Sequence, residues 1–335
     1  VSDKQQYKSN NSPMDKHKVI EIFITVDDFC KGFDEIECKR AISTGNKKFR
    51  NRKSSLCLSE KMTIYICFHL SSYTNFKRYY NELVLVHWRD LFPGLVTYER
   101  FNQTQNRLFV PLLMFLKDRC LGACTGISFI DSTTLNVCHI KREKQNKVFK
   151  GFATKSKSTM GWFFGFKLHL IINDKGELLN FYLSKANVDD RNQDILSVMV
   201  KEVFGKLFGD RGYISDKLAQ FLWNDGVDLI FKRRKNMKSM NLSDNDKVLL
   251  RKRALIECVN DELKNQCNIQ HTRHRALQGF LNNAISALCA YHFFPKKPSI
   301  KLSTTELSKE VYLNVALPLF TLKRLICQYR KTTKK

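Results

Sequence analysis

The stretch that most limits this chain is residues 166–184, FKLHLIINDKGELLNFYLS. FKLHLIIN alternates with period two, NDKG is a turn, and ELLNFYLS is a return strand, so the segment reads as an antiparallel hairpin. An isolated hairpin is marginal in water. These residues therefore commit the chain to a sheet, with other strands beside the hairpin and helices against it.

The flanking sequence supplies both. GISFIDST, residues 126–133, reads as a buried strand ending in Asp131. KLFGDRGYI places Asp210 at the end of a short apolar strand, and VDLIFK is a further strand. Helices are expected after Asp190, where Asp190 and Gln193 form a capping box, in DKLAQFLWNDG, in residues 250–264, and from about Ala276 to Phe294 before Pro295. The order strand, hairpin, helix, strand, helix, strand, helix, helix is that of a mixed α/β sheet led by an antiparallel meander.

Residues 58–118 are mostly helical by pattern. Ser59 is placed to cap LSEKMTIYICFHL, a second helix covers NFKRYYNELVLVHWRDLF, and a third starts near Thr97 with a kink at Pro111. These helices fit a helix-turn-helix-like module and a structural cap equally. Earlier still, Asp27 to Ile42 looks helical with Phe29, Phe33 and Ile36 inward, followed by a basic linker at 46–55. The expected organisation is a helical region at 1–118, an α/β domain at 119–300 and a basic tail at 301–335.

Charge points to the partner. The 335 residues carry 57 Lys plus Arg against 32 Asp plus Glu, a net charge of +25. An excess of that size suits a polyanion, because cations that neutralise phosphates release counterions. It is concentrated in two runs. Residues 141–158 hold seven cations, Lys150, Lys155 and Lys157 among them, against the single acid Glu143. Residues 232–238 hold five, including Arg233, Arg234 and Lys235, and no acid. No apolar run approaches the roughly 18 residues of a membrane span, and the polar N-terminus resembles no signal peptide. The eleven cysteines show no paired C-x-x-C spacing, which suits free thiols in a reducing cytoplasm. His271 and His274 are better read as part of a basic stretch than as metal ligands.

Three acids stand out from this background. A carboxylate at the end of an apolar strand needs a partner, a metal or an open cleft, and Asp131 and Asp210 both sit so, with turn-capping as the plain alternative for Asp131. The third lies in LRKRALIECVNDELK, residues 250–264, read as one helix with Leu255, Ile256, Val259 and Leu263 on its apolar stripe. At about 100° per residue, Arg253, Glu257 and Lys264 fall within roughly 40° of one another, and Glu262 points about 140° away from Glu257. Taken alone, this helix could be an ordinary surface helix with i,i+4 charge pairs. If the two strands are neighbours and the helix crosses them, three carboxylates converge. Oxygen ligands of that kind suit Mg²⁺, and a two-ion site suits in-line phosphoryl displacement.

Several long segments, in order, carry a family resemblance: FIDST, KVFKGFATKSKSTMGWFFGFKLHLIIN, KLFGDRGYIS, LLRKRALIECVNDELKNQ and RHRALQGFLNNAISALCAYHFFPKKPSI. Over roughly residues 20–300 the chain resembles DDE transposases of bacterial insertion sequences, in particular the insertion sequence 982 family. The resemblance implies an RNase H-like catalytic domain with Asp131, Asp210 and Glu257 as the metal-binding triad. It implies Mg²⁺ as cofactor, with Mn²⁺ as a substitute. Arg253, Glu257 and Lys264 match the family signature Tyr-x2-Arg-x3-Glu-x6-Lys, and Leu250 stands where that signature has tyrosine. Cleavage at the terminal inverted repeats and joining of the freed 3′-OH to target DNA are implied, by a dimer or larger assembly on duplex DNA in the bacterial cytoplasm. Arg253 and Lys264 would contact phosphates. Trp162 and Tyr213 are candidates for base stacking, although core packing suits each better. Two other readings stay open: a nuclease of the same fold that does not join strands, and a non-catalytic DNA-binding remnant.

Overall fold

A computed structural model describes residues 14–43, 54–213, 215–231, 242–270 and 273–300. The 46–55 linker apart from its last two residues, the 232–238 cations, His271 and the 301–335 tail lie outside these segments. The chain begins with helix α1, Lys16–Ser43, and α2, Leu58–Leu70. A helical run follows as α3, Phe76–Arg78, a π-turn segment Tyr79–Val84, and α4, Leu85–His87. Next come α5, Tyr98–Thr104, and α6, Phe109–Phe115, which continues as a π segment to Cys120. The sheet region is β1 Ile127–Cys138, β2 Thr154–Ser158, β3 Gly161–Asn173, β4 Leu178–Lys185, helix α7 Gln193–Met199, β5 Gly205–Gly209, α8 Asp216–Asn224 and β6 Val227–Phe231. Three helices close it: α9 Asp244–Lys252, α10 Ala254–Asn265 and α11 Leu277–His292.

The hairpin forms as expected. β3 and β4 pair antiparallel, and Gly176 supplies the positive φ of 72° that the turn requires. β3 pairs antiparallel with β1 on its other edge, β5 joins β1 in parallel, and β6 joins β5 in parallel. The order β4-β3-β1-β5-β6, three antiparallel strands followed by two parallel to β1, is RNase H-like. β2 is an addition, paired with the first residues of β3.

Side-chain alternation sends β1 and β3 residues to two different cores. On one face Phe129, Leu168 and Leu170 join the buried side chains of α1, α2, α6, α10 and α11. On the other, Ile130 and Ile171 pack with Ile195, Leu196 and Met199 of α7 and Leu218 and Leu222 of α8. His69 of α2 ties the first core together: its ring meets the Cys267 carbonyl and, at 2.9 Å, the Ser286 hydroxyl of α11. The neutral ring donates from Nδ1 to the carbonyl and accepts the hydroxyl proton at Nε2.

Several elements differ from their sequence reading. β1 does not end at Asp131 but runs on to Cys138, because its partner β3 continues the ladder beyond Leu170. The 250–264 segment is two helices that meet at Arg253, with Leu250 in the first of them. Ser59 lies inside α2 and donates to Asp27 of α1 at 2.8 Å, while Cys57 is the cap, paired reciprocally with Glu60. Asn192, not Asp190, caps α7. α1 is a single long helix in which Phe29 is buried and Ile36 is exposed. The 141–158 run is only partly loop: residues 140–145 form a 3-10 turn and β2 occupies its end.

Candidate active site

The pairing of β1 with β5 sets the geometry. Phe129 stands beside Phe208 in the parallel ladder. Asp131 and Asp210 each lie two residues further on, so both reach the same level of the sheet. β5 ends at Gly209, and Asp210 therefore leaves the ladder where β1 continues. The opening at Asp131 comes from the end of β5, not from the end of β1.

α10 packs over β1 at this level. Its buried stripe is Leu255, Ile256, Val259 and Leu263, as the periodicity expects. The adjoining face carries Glu257, Asn260 and Lys264. The Asn260 amide donates to Asp131 Oδ2 at 3.0 Å. Burial lowers the Lys264 ammonium pKa, and Asp131 is the first charge that opposes the fall. Arg253, although outside α10, still reaches Glu257 at 2.6 Å and stands 4.0 Å from Asp210 Oδ1. Its side chain is 18% exposed, whereas Glu257 is 57% and Asp210 55% exposed.

These neighbours are legible in the electrostatics. Burial pushes the Asp131 carboxyl up to about 6. Asp210 and Glu257 add to the rise, while Arg253 and the Ser132 backbone N–H oppose it. Three carboxylates thus share one field on a β1–β5–α10 frame. Their oxygens are donors suited to a hard divalent cation, and a partly buried, mutually repelling set is stabilised by such a charge. Among the described residues, no three ligating side chains stand close enough together to hold one ion. The Arg253 guanidinium stands among these acids, paired with Glu257 and 4.0 Å from Asp210.

Of the sequence-selected cations, Lys150, Lys155 and Lys157 are exposed on the segment that leads through β2. Lys155 lies 3.8 Å from Glu143. Arg233, Arg234 and Lys235 fall outside the described residues. Tyr213 is buried, as core packing predicts, but Trp162 is exposed and corrects that expectation. Asp189 and Asp190 are not part of the acidic group: the first pairs with Arg191 at 2.7 Å and the second with Lys167 at 3.1 Å. Sequence reasoning missed Asn260. Its position three residues after Glu257 on the same helical face was the available signal. Glu262, which helical phase points away from Glu257, is half-buried on the side of α10 near Lys297.

Residues 121–277 match the family described as "Transposase DDE domain". No curated protein matches the chain. Among solved structures, one similar chain is the piggyBac transposase in a synaptic complex with hairpin DNA, at 13% identity and a TM-score of 0.40 over 82% of this chain and 76% of that one.

Proposed function

We propose that this protein is a DDE transposase that cuts DNA at the ends of an insertion sequence and joins the freed 3′-OH to target DNA. The observation that carries the reading is the arrangement of Asp131 on β1 and Asp210 just past the end of the neighbouring parallel strand β5, beside the Glu257 helix, within the segment that matches the transposase family. Asp131, Asp210 and Glu257 would hold Mg²⁺, with Mn²⁺ able to replace it. Bound there, the metal supplies activation of the attacking oxygen and charge stabilisation of the leaving oxygen.

The chain's own residues do the rest. Asn260 orients the Asp131 carboxylate through its amide hydrogen bond. Arg253 and Lys264 offer positive charge beside the acids, placed for the phosphates that flank a scissile bond. Water and then the 3′-OH would be the successive nucleophiles at one site. The exposed cations Lys150, Lys155 and Lys157, together with Arg233, Arg234 and Lys235, would hold the DNA backbone. Residues 1–118 would recognise the element ends, residues 119–300 would carry the chemistry, and the working form would be a dimer or larger assembly on DNA. A bacterial insertion sequence of the 982 family is the proposed source.

The test is a supercoiled plasmid carrying paired terminal repeats, incubated with the protein and Mg²⁺. Cleavage at the repeats and joined products are expected, and chelation should abolish both while leaving DNA binding intact. Cuts without joined products would indicate a nuclease, and binding without cuts a non-catalytic remnant.

A further inference from the structure

The β2–β3 hairpin has a part that the rest of the sheet does not share. β1 pairs with β3 only from Phe164 onward, and β4 only from Phe166 onward. Gly161, Trp162 and Phe163 are laddered to β2 alone, opposite Ser158, Lys157 and Ser156. Residues 156–163 are therefore a two-stranded ribbon extending past the other strands. Met160 at its tip is 98% exposed and Trp162 is 57% exposed.

One face of this ribbon is cationic and aromatic. Lys157 and Trp162 are direct cross-strand partners and share a face. Lys155, two residues away on the same face, holds its ammonium 5.0 Å from the Trp162 ring centroid. The opposite face turns Phe163 inward, where it is buried. The indole thus carries one lysine on its ring, stands beside a second exposed lysine, and belongs to neither of the buried cores. A two-stranded β-ribbon fits the major groove of a DNA duplex. Lysines at its flanks would meet phosphates and the indole a base edge or sugar.

Resting on the transposase reading above, we propose that residues 155–163 form an arm that docks on duplex DNA away from the cut. Lys155 and Lys157 contact phosphates there, and Trp162 inserts into the groove. β3 also sets the spacing. Trp162 and Leu170 lie on the same strand, and Leu170 is the cross-strand partner of Asp131. Eight residues at about 3.3 Å each put the arm roughly 26 Å from the acids. That corresponds to about eight base pairs of duplex at 3.4 Å per pair.

The experiment uses the full chain with Trp223→Phe, which leaves Trp162 as the exposed tryptophan while Trp88 is buried. A short duplex is titrated without metal and emission is followed. Quenching of Trp162 is expected. Lys155→Ala with Lys157→Ala should make the plot of log affinity against log salt shallower by about 2. Trp162→Ala should weaken binding about tenfold with the slope unchanged, while Trp162→Phe retains most of the affinity. No quenching, or an unchanged slope in the double variant, overturns the arm. Quenching by phosphatidylserine vesicles but not by duplex also overturns it, in favour of a membrane surface. The two readings fail separately: duplex binding through the arm without cleavage of the paired-repeat plasmid leaves the arm standing and removes the transposase. Normal cleavage with an unaltered salt slope does the reverse.

Discussion

Glu257 and Glu262 sit five residues apart on α10 and meet different surroundings. Glu257 is exposed, paired with Arg253 and within the field of Asp131. Glu262 is half-buried, with Oε2 shielded and lacking a hydrogen-bond partner; burial raises its pKa, Asp261 adds to the rise, and Lys297 opposes it. Loss of a metal ligand removes several kcal/mol of charge stabilisation, on the order of a thousandfold in rate. Glu257→Gln is therefore expected to abolish cleavage while circular dichroism and DNA binding stay near normal. Glu262→Gln should cleave within about tenfold of the parent, since it removes a poorly solvated charge remote from Asp131, and its melting temperature should not fall. Asn260 gives a finer test. A hydrogen bond to a carboxylate contributes about 1.5–3 kcal/mol, so Asn260→Ala should slow cleavage by roughly ten- to a hundredfold. Activity at the parent level in steady-state assays of that variant would show that Asp131 needs no such support.

At the scale of elements, what the sequence made legible was whatever a local period or a single-strand pattern encodes. The 166–184 hairpin, the α10 stripe and the position of Asp210 just past the end of β5 were all readable in this way. Long-range partners decided what was not. β1 outruns Asp131 because β3 extends beside it, and no feature of FIDST alone announces that extension. Ser59 satisfies every local rule for a cap, yet its hydroxyl goes to Asp27 on α1 and Cys57 takes the cap. Core packing is the ordinary fate of a tryptophan, and only the ladder limits of β1 and β4 show that Trp162 lies on a ribbon past the other strands. The link from α2 to α11 was equally hidden, although His69 makes it testable. Burial pushes that imidazole down to about 4 from an ordinary value of 6.5. With the folded pKa below the unfolded one, the unfolded chain takes up the proton first. Stability should be full above about pH 6.5, fall between about 6.5 and 4, and level off below, a loss of up to about 3 kcal/mol. Chemical denaturation of the parent and of His69→Gln across that window checks this: the variant should be less stable at neutral pH, and its stability should fall less steeply with acid.

Across the whole molecule, the N-terminal helices and the sheet cannot be treated as detachable pieces. Met62, Phe68, Trp88 and Phe115, all before Gly122, belong to the same buried cluster as Phe129, Ile256, Val259, Leu263 and Leu288. α11, the last described helix, packs against both α2 and α6. The frame that holds Glu257 over Asp131 is thus backed by side chains from both ends of the chain. This bears on how end recognition by residues 1–118 is tested. A truncation starting near Gly122 would bare the faces of α11 that α2 and α6 cover. At about 1.5–3 kcal/mol per large apolar side chain taken out of the core, uncovering several of them costs an amount comparable with the roughly 5–15 kcal/mol that keeps a domain folded. The truncated chain is expected to be poorly soluble, without a cooperative melting transition and without cleavage. Calorimetry of the purified fragment decides the matter: a sharp transition near that of the parent would mean that the sheet and its last helices stand alone. Exposed substitutions on the N-terminal helices avoid the problem. Arg100→Ala or Lys77→Ala, at exposed positions on α5 and α3, should leave the melting temperature within about 1–2 °C, as surface changes usually do. Loss of preference for terminal-repeat DNA over unrelated duplex in such folded variants would assign recognition to these helices, and an unchanged preference across all their exposed cations would remove it from them.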